Sequence, residues 1–223
     1  MKAALKSTIM EILDQSKDTG IVDDLACIDT DLCYQLNLKV NSEGTIEVDR
    51  EKRIDLAMIL VEQGVEIVDV VELMTWKDFE GLVAGILSEN SFSCTESFRR
   101  RGTADIKGME IDVIGIRGRT ALAIDAKMWS VRGGKASALR TASEKQKQRT
   151  NRLITQLERL SNKLPSMTKG QYTIFPIMVT WLVEEVEMHE GVPVVPVFKL
   201  NGFIQDFEIY EAVSYTHLRA HET

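Results

Sequence analysis

Apolar residues recur at helical spacing along most of residues 1 to 74. The spacing predicts a first helix with five apolar residues on one face, Ala4, Leu5, Ile9, Ile12 and Leu13. Further helices are predicted over residues 50 to 63 and 66 to 74, the last with Val65, Val68, Val71 and Leu73 facing inward. Residues 37 to 49 favour a small hairpin that turns at residues 41 to 44. Residues 1 to 74 are therefore expected to form a mainly helical accessory domain, either a winged helix or a packing or dimerisation module.

A better-marked helix begins after Thr75. Thr75 followed by Asp78 resembles a capping box. The predicted buried stripe of this helix contains Trp76, Phe79, Val83, Ile86 and Leu87. Glu80 lies on the same stripe, where an unpaired carboxylate is costly. A bound metal or a lysine would relieve that cost, and the alternative is a side chain that reaches water at the edge of the stripe.

Residues 110 to 117 and 120 to 127 have the composition of strands, and only Gly118 and Arg119 separate them. This spacing predicts a hairpin with a two-residue type II′ turn. If Arg117 opposes Thr120, the register places Asp112 opposite Asp125 and Glu110 opposite Lys127, all on one side of the sheet. Carboxylates that face each other at about 5 Å repel unless a cation lies between them. The hairpin therefore predicts a site for a divalent cation with oxygen ligands.

The pattern after the hairpin predicts a loop, a helix and two strands. Residues 128 to 135 form a basic loop with glycines, which could approach a phosphate backbone or serve as an ordinary connector. A long helix is expected over residues 136 to 162, and buried strands over residues 172 to 182 and 192 to 200. The last ten residues, 214 to 223, continue no pattern and contain His217 and His221. They resemble translated adapter sequence, and we expect them to be non-native.

Charge is distributed unevenly along the chain. The net charge is −7, yet residues 97 to 160 hold fifteen Lys or Arg and six Asp or Glu, a local balance of +9. This window surrounds the predicted hairpin and indicates a face that binds a polyanion. The alternative is a solvated surface whose cations only keep the protein soluble. The cations assigned to a nucleic-acid surface are Arg99, Arg100, Arg101, Arg132, Lys135 and Arg149.

The bulk composition narrows the class of protein. With 223 residues and 44% hydrophobic content, the chain can bury one good core and a small second domain. No stretch approaches 18 uninterrupted apolar residues and the start lacks a signal-peptide core, so we expect a cytoplasmic protein with no membrane partner. Cys27, Cys33 and Cys94 form no C-x-x-C pair and have no nearby histidine, which favours free thiols.

The ordered motifs resemble the PD-(D/E)-x-K, or restriction-endonuclease-like, superfamily, and within it the Mrr-type and archaeal Holliday-junction-resolvase-like branch. The resemblance covers residues 75 to 207. It rests on Trp76-Lys-Asp-Phe-Glu80, Glu110-Ile-Asp112, Asp125-Ala-Lys-Met-Trp129, and Glu144-Lys-Gln146 with Arg149. Ile111 stands where restriction enzymes usually have proline. The resemblance implies an α/β nuclease domain over residues 75 to 213, built on a central mixed β-sheet flanked by helices.

The resemblance also implies an activity, that of a Mg²⁺-dependent DNA endonuclease, with Mn²⁺ as a substitute metal. Such an enzyme hydrolyses phosphodiester bonds with a metal-activated water, in DNA restriction or in recombination and repair. Asp112, Asp125 and the carbonyl of Ala126 would hold the metal, with Glu80 as a further ligand directly or through water. Glu110 is a rival ligand, although a simple cross-strand ion pair is the preferred account of it.

Three other residues receive roles from the same resemblance. Lys127 would orient or activate the attacking water and offset charge on the phosphate. Its alternative is a plain salt bridge. Gln146 matches a glutamine that related nucleases place near the site, and Arg149 would contact phosphate.

Two other functions compete with the endonuclease. A nucleic-acid-binding module could keep the fold without catalysis. An RNA-processing enzyme that relies on histidine is disfavoured, because His189 is the sole histidine outside residues 214 to 223. One site cuts one strand, so cleavage of a duplex or a four-way junction would require a homodimer. The sequence leaves the DNA substrate open, because base-reading residues cannot be identified without a docking geometry.

Overall fold

The computed structural model describes residues 2–26, 28, 30–102, 108–129, 134–207 and 218–220. The chain divides into two compact units, Met1–Gly81 and Leu82–Thr223. The division falls within helix α5 (Trp76–Glu89), and the boundary predicted after residue 74 lies just before that helix. In the part of the chain that is described, no helix is both long enough and apolar enough to cross a membrane.

In its described residues the first unit contains four helices before α5, and the three that the sequence predicts are confirmed. The helices are α1 (Lys2–Gln15), α2 (Thr30–Gln35), α3 (Arg50–Glu62) and α4 (Ile67–Leu73). Two short strands, β1 (Ile21–Val22) and β2 (Ile46–Glu47), pair antiparallel. The predicted turn at residues 41 to 44 is present, closed by a single bridge between Val40 and Ile46. The short helix α2 was not predicted.

Two residues of this unit that were predicted to face inward, Val68 and Trp76, are exposed. Val70 is the fully buried valine of α4, whereas Val68 is 42% exposed. Because valines occur on several sides of this short helix, packing rather than periodicity selects the buried side. Trp76 is 49% exposed, because it is the first residue of α5 and precedes the buried stripe that Phe79 begins.

Asp78 shows why α5 starts where it does. The hydroxyl oxygen of Thr75 accepts from the Asp78 amide at 3.1 Å, and Asp78 Oδ2 accepts from the Thr75 amide at 2.8 Å, which confirms the capping box. Asp78 Oδ2 also accepts from Arg53 Nε at 3.1 Å, and both side chains are 4% exposed. Arg53 donates in addition to the carbonyls of Leu13 and Leu73, each at 2.7 Å. The buried pair therefore connects α3 to the start of α5.

The second unit is built on a mixed β-sheet flanked by helices, as predicted. The strands are β3 (Ser93–Arg100), β4 (Met109–Arg117), β5 (Thr120–Lys127), β6 (Tyr172–Thr180), β7 (Met188–His189) and β8 (Val192–Pro196). Their order in the sheet is β3-β4-β5-β6-β8-β7. The pairings β5–β6 and β6–β8 are parallel, and the others along this path are antiparallel. A further strand, β9 (Leu218–Ala220), pairs antiparallel with β6.

Strand β3 escaped prediction because its sequence, Ser-Cys-Thr-Glu-Ser-Phe-Arg-Arg, lacks apolar alternation. It lies at the end of the strand path and pairs with β4. The parts of residues 214 to 223 that hold His217 and His221 lie outside the described residues. The non-native origin of that tail stays a prediction.

Two predicted elements of the second unit need correction. The helix expected over residues 136 to 162 is interrupted: α6 (Lys135–Leu153) is followed by a 3₁₀ turn (Ile154–Gln156) and then by α7 (Leu157–Lys163). The strand expected over residues 192 to 200 ends at Pro196, where helix α8 (Val197–Gln205) begins. Proline lacks an N–H for a sheet and fits before the first turn of a helix, and a short apolar run suits either element.

Helix α6 connects β5 to β6 and packs through both of its ends. Leu153 at its C-terminal end joins the core cluster of Ile114, Ile116 and Ala123, and Leu139 joins a second cluster with Met178. Between these apolar ends the buried residues are polar, Ser143, Gln146 and Thr150. The polar middle of α6 is the part that comes to the predicted catalytic hairpin.

Candidate active site

The β4–β5 hairpin has the predicted turn and the predicted register. Gly118 has φ of 60° and Arg119 does not have a positive φ, which is the pattern of a type II′ turn. Facing pairs run from Arg117 opposite Thr120 to Val113 opposite Ile124. The paired register ends there, one step before Asp112 and Asp125.

Beyond the last paired residues of the hairpin, the Asp112 carboxylate takes the place of a main-chain hydrogen-bond acceptor. Asp112 Oδ2 accepts from the amide of Ala126 at 2.8 Å. Burial, and next the charge of the Asp125 carboxylate, raise the pKa of Asp112 from 3.8 to about 6, against the lowering effects of the Ala126 amide, Lys127 and Arg149. The two carboxylates are therefore close enough to repel each other, as the register predicts.

Asp125 is the buried member of the pair, with a side chain that is 2% exposed. Lys127 Nζ lies 2.8 Å from its Oδ2, and Arg149 Nη1 donates to its Oδ1 at 2.8 Å. The two cationic side chains are 24% and 28% exposed. A buried anion thus holds two partly exposed cations, and the salt bridge foreseen as the alternative for Lys127 is present.

Gln146 reaches the same hairpin from α6. Its side chain is completely buried, and Nε2 donates to the carbonyl oxygen of Ala123 at 2.8 Å. Within the described residues, its Oε1 has no hydrogen-bond partner. A buried acceptor without a partner is costly and commonly marks a place for water or an ion. Gln146 therefore leaves a free acceptor in the polar layer between α6 and β5.

Ser97 is a residue of the site region that sequence reasoning missed. The β3–β4 pairing includes Glu96 with Val113 and Phe98 with Ile111, and it skips the position where Ser97 would face Asp112. Ser97 has φ of 49°, which is uncommon for a residue other than glycine and is found at strained functional positions. No signal in the sequence points to it, because serine is not typical of this conformation.

Glu110 does not meet Lys127 as the extended register would place it. It lies opposite Arg99 on β3, and Arg99 Nε donates to Glu110 Oε1 at 2.6 Å. Glu110 therefore forms a cross-strand ion pair, but with Arg99 instead of Lys127. The same contact engages Arg99, which was assigned to the nucleic-acid surface.

The other cations assigned to the nucleic-acid surface differ in their exposure and contacts. Arg100 is half-buried opposite Met109, Arg101 is exposed beside it, and Arg132 lies outside the described residues. Lys135 is mostly buried, with Nζ 2.5 Å from Glu184 Oε1. Of the five cations in the described part of the chain, Arg149 is the one that contacts a predicted metal ligand.

Glu80 is buried, with 5% exposure, and belongs to the first unit. Asp112, Asp125 and Lys127 belong to the second. The role of Glu80 as a metal ligand stays a prediction.

The donors of the second unit suit a hard cation. Two carboxylates, Asp112 and Asp125, converge at the end of the hairpin, with the main chain of Ala126 beside them. The described residues contain no group of three or more His, Cys, Asp or Glu suited to hold a metal. Mg²⁺ commonly binds through one or two carboxylates, keeps several waters and takes further oxygens from substrate phosphates. The donor set and the raised pKa of Asp112 fit such an ion.

A cavity of about 520 Å³ opens beside Asp125. Its polar and aromatic lining comes from Asp125, Lys127, Trp129, Ser137, Thr141, Lys145 and Arg149. The cavity therefore lies between the end of β5 and the first half of α6.

Comparison with known proteins identifies a relative. No protein-family model matches the chain. An uncharacterized protein of Archaeoglobus fulgidus is 31% identical over 140 residues, which make up 62% of this chain and 96% of that protein. This chain belongs to the family of that archaeal protein. The relative is described as an uncharacterized protein, so it assigns no function to the site of this chain.

Two solved structures show a weaker likeness. Protein VC1899 from Vibrio cholerae is 12% identical with a TM-score of 0.34, and the match covers 96% of this chain and 51% of that one. AF1548, a protein of unknown function, is 17% identical with a TM-score of 0.26, over 56% of this chain and 52% of that one. The chain spans about half the length of each of these two structures.

Proposed function

We propose that this protein is a Mg²⁺-dependent DNA endonuclease that hydrolyses phosphodiester bonds, with a nuclease domain of the restriction-endonuclease-like type. The observation that supports this most is the meeting of Asp112, Asp125 and Lys127 at the end of one hairpin, with Arg149 on the same carboxylate. A repelling carboxylate pair beside two partly exposed cations suits a metal and an anionic phosphate together.

Each residue of the candidate site would have a role that suits its chemistry. Asp112, Asp125 and the Ala126 carbonyl would hold Mg²⁺, and the ion would neutralise the phosphate and make water a stronger nucleophile. Lys127 would donate to a phosphate oxygen and stabilise the charge that develops there. Arg149 would turn one edge of its guanidinium from Asp125 to phosphate. Gln146 Oε1 would accept from an ordered water.

The proposal is tested by cleavage of linear duplex, four-way junction, flap and single-stranded DNA in Mg²⁺, Mn²⁺ or EDTA. We expect metal-dependent cleavage, and a loss of about 100-fold or more in rate for Asp125→Asn and Lys127→Ala, because the first removes a metal ligand and the second a donor to the reacting phosphate. Glu158→Gln, a carboxylate change on the exposed side of α7, serves as the matched control and should cleave normally. Unimpaired cleavage by both site variants would contradict the assignment.

A second function has one observation in its favour. Lys127 and Arg149 both pair with Asp125, so cations of the protein itself offset the charge of this carboxylate, which suits a DNA-binding module that does not catalyse. Metal-independent binding with no cleavage of any substrate would make that module the better account. Cutting both strands of a duplex would in addition require a homodimer, which sedimentation of the protein with DNA would detect.

A further inference from the structure

The cavity beside Asp125 follows one ridge of α6. Ser137, Thr141, Lys145 and Arg149 are spaced four residues apart and all line it. Residues at this spacing stack along one face of a helix, about 6 Å from one to the next. Arg149 contacts Asp125, so the ridge leads from the catalytic carboxylates toward the N-terminal end of α6.

The lining of this cavity attracts an anion. It contains the cations Lys127, Lys145 and Arg149 against the carboxylate of Asp125. Among the residues that the structure describes, Lys145 forms no ion pair, whereas its neighbour Lys147 pairs with Glu190. The ridge also carries two hydroxyls, which donate readily to phosphate oxygens. The combination suits a phosphodiester unit beside the one that would be cut.

Trp129 forms a wall of the cavity, and several contacts hold that wall in place. The Trp129 ring packs beside the cluster that contains Leu139 and Met178. Its carbonyl oxygen accepts from Lys135 Nζ at 3.2 Å, and Lys135 is itself paired with Glu184. An aromatic surface of this kind can stack with any nucleobase.

We propose that this cavity binds one unpaired nucleotide of a DNA strand, next to the phosphodiester at Asp125, so that the protein prefers single-stranded segments to intact duplex. The inference rests on the proposed function and specifies its substrate. About 520 Å³ is within the range of cavities that hold small ligands. A base that stacks on Trp129 has to be unpaired, because a paired base is already stacked between its neighbours in the duplex. A nucleotide of a duplex would first have to leave its stack, at a cost of a few kcal/mol, whereas an unpaired one would not.

The test measures binding in EDTA, where no cleavage occurs, by fluorescence anisotropy of a short labelled oligothymidylate and of a duplex of the same length. We expect the wild-type protein to bind the single strand at least about tenfold more tightly, because the duplex must lose stacking first. Thr141→Leu, which narrows the cavity and removes one of its two hydroxyls, should weaken binding of the single strand about tenfold or more, while binding of the duplex changes less than about twofold.

The matched control is Asn151→Leu, on an exposed position of α6 that does not line the cavity, and it should bind both DNAs like the wild-type protein. If Thr141→Leu does not fold, Lys145→Gln replaces it, because Lys145 is exposed and lines the same cavity. Equal affinity of the wild-type protein for both DNAs would overturn the proposal. Undiminished binding of the single strand by the folded cavity variant would do the same.

The outcome separates this inference from the proposed function. Selective binding of the single strand without cleavage of any DNA in Mg²⁺ supports the cavity assignment and contradicts the endonuclease. Metal-dependent cleavage with equal affinity for both DNAs supports the endonuclease and overturns the cavity assignment.

Discussion

Asp112 on β4 is not among the paired residues of either neighbouring strand, β3 or β5. The β3–β4 pairing skips it opposite Ser97, and the β4–β5 pairing ends just before it. Its carboxylate takes the Ala126 amide instead, so the side chain occupies a position normally held by main-chain contacts.

The raised pKa of Asp112 makes stability depend on pH in the metal-free protein. The native state keeps the proton of Asp112 up to about pH 6, whereas the unfolded chain releases it near 3.8. Between these values the native state binds more protons, so the contribution to the free energy of unfolding is present at low pH and is lost as pH rises through 6.

Asp112→Asn should remove this dependence and raise the free energy of unfolding at pH 8 by about 1 to 3 kcal/mol, because the amide keeps the contact with Ala126 without a charge. Urea unfolding in EDTA from pH 4 to 8 measures the effect. Parallel pH profiles for the variant and the wild-type protein would show that Asp112 titrates normally.

Ser97 should tolerate glycine and resist β-branched residues. At φ of 49°, a β-branched side chain is a genuine outlier, so Ser97→Val should lower the free energy of unfolding by about 1 to 2 kcal/mol. Ser97→Gly should be near neutral, because glycine adopts this conformation freely but loses more entropy on folding. Thr95→Val, in the paired part of the same strand, is the control and should change little. An equal loss in both valine variants would argue against strain at Ser97.

At the scale of elements, polar contacts determine where two helices begin and lie. The start of α5 depends on Asp78, which caps the helix and also pairs with Arg53. The position of α6 depends on Gln146, which bonds the main chain of β5 between two apolar clusters. In each case a buried polar side chain connects elements that are distant in sequence.

Removal of the Asp78 carboxylate should destabilise the first unit strongly. Asp78→Ala loses the cap and leaves the buried guanidinium of Arg53 without its carboxylate, so the free energy of unfolding should fall by about 3 kcal/mol or more. Asp69→Ala changes an exposed acid in the first turn of α4 and should stay within about 0.5 kcal/mol of the wild-type value. Chemical denaturation followed by circular dichroism compares the two. A small loss in Asp78→Ala would show that water replaces the carboxylate.

At the scale of the whole molecule, charge is segregated along the chain. The protein is acidic as a whole, yet the window that contains the hairpin and α6 is strongly basic. Ion pairs within the protein already neutralise part of this positive charge. Arg99 pairs with Glu110, Lys135 with Glu184 and Lys147 with Glu190. The cations available to a polyanion are therefore fewer than the sequence count.

Salt dependence of DNA binding separates paired from available cations. Binding should weaken as salt increases, and Lys145→Gln should reduce the slope of log affinity against log salt by about 1. Lys199→Gln, on the exposed side of α8 and outside the basic window, should leave the slope unchanged. Equal slopes for all three proteins would show that Lys145 does not contact phosphate.

Much of the hairpin and of α5 could be predicted because the information is local. Alternating residues, a two-residue turn with glycine first and a capping box each involve neighbours within a few positions, so the sequence determines the β4–β5 register and places Asp112, Asp125 and Lys127 on one face. The same locality explains the errors. Apolar runs such as residues 192 to 200 suit more than one element, and the polar edge strand β3 carries no periodic signal.

The rest of the candidate site depends on contacts between residues far apart in the chain. Arg149 reaches Asp125 across 24 positions and Gln146 reaches Ala123 across 23, because α6 returns over the sheet before β6 adds to it. The pairing of Glu110 with Arg99, the strain at Ser97 and the cavity along α6 likewise appear only when β3, β4, β5 and α6 are packed together. Local hydrogen bonding and periodicity encode the elements, whereas which side chains meet is decided by how those elements bury their apolar faces.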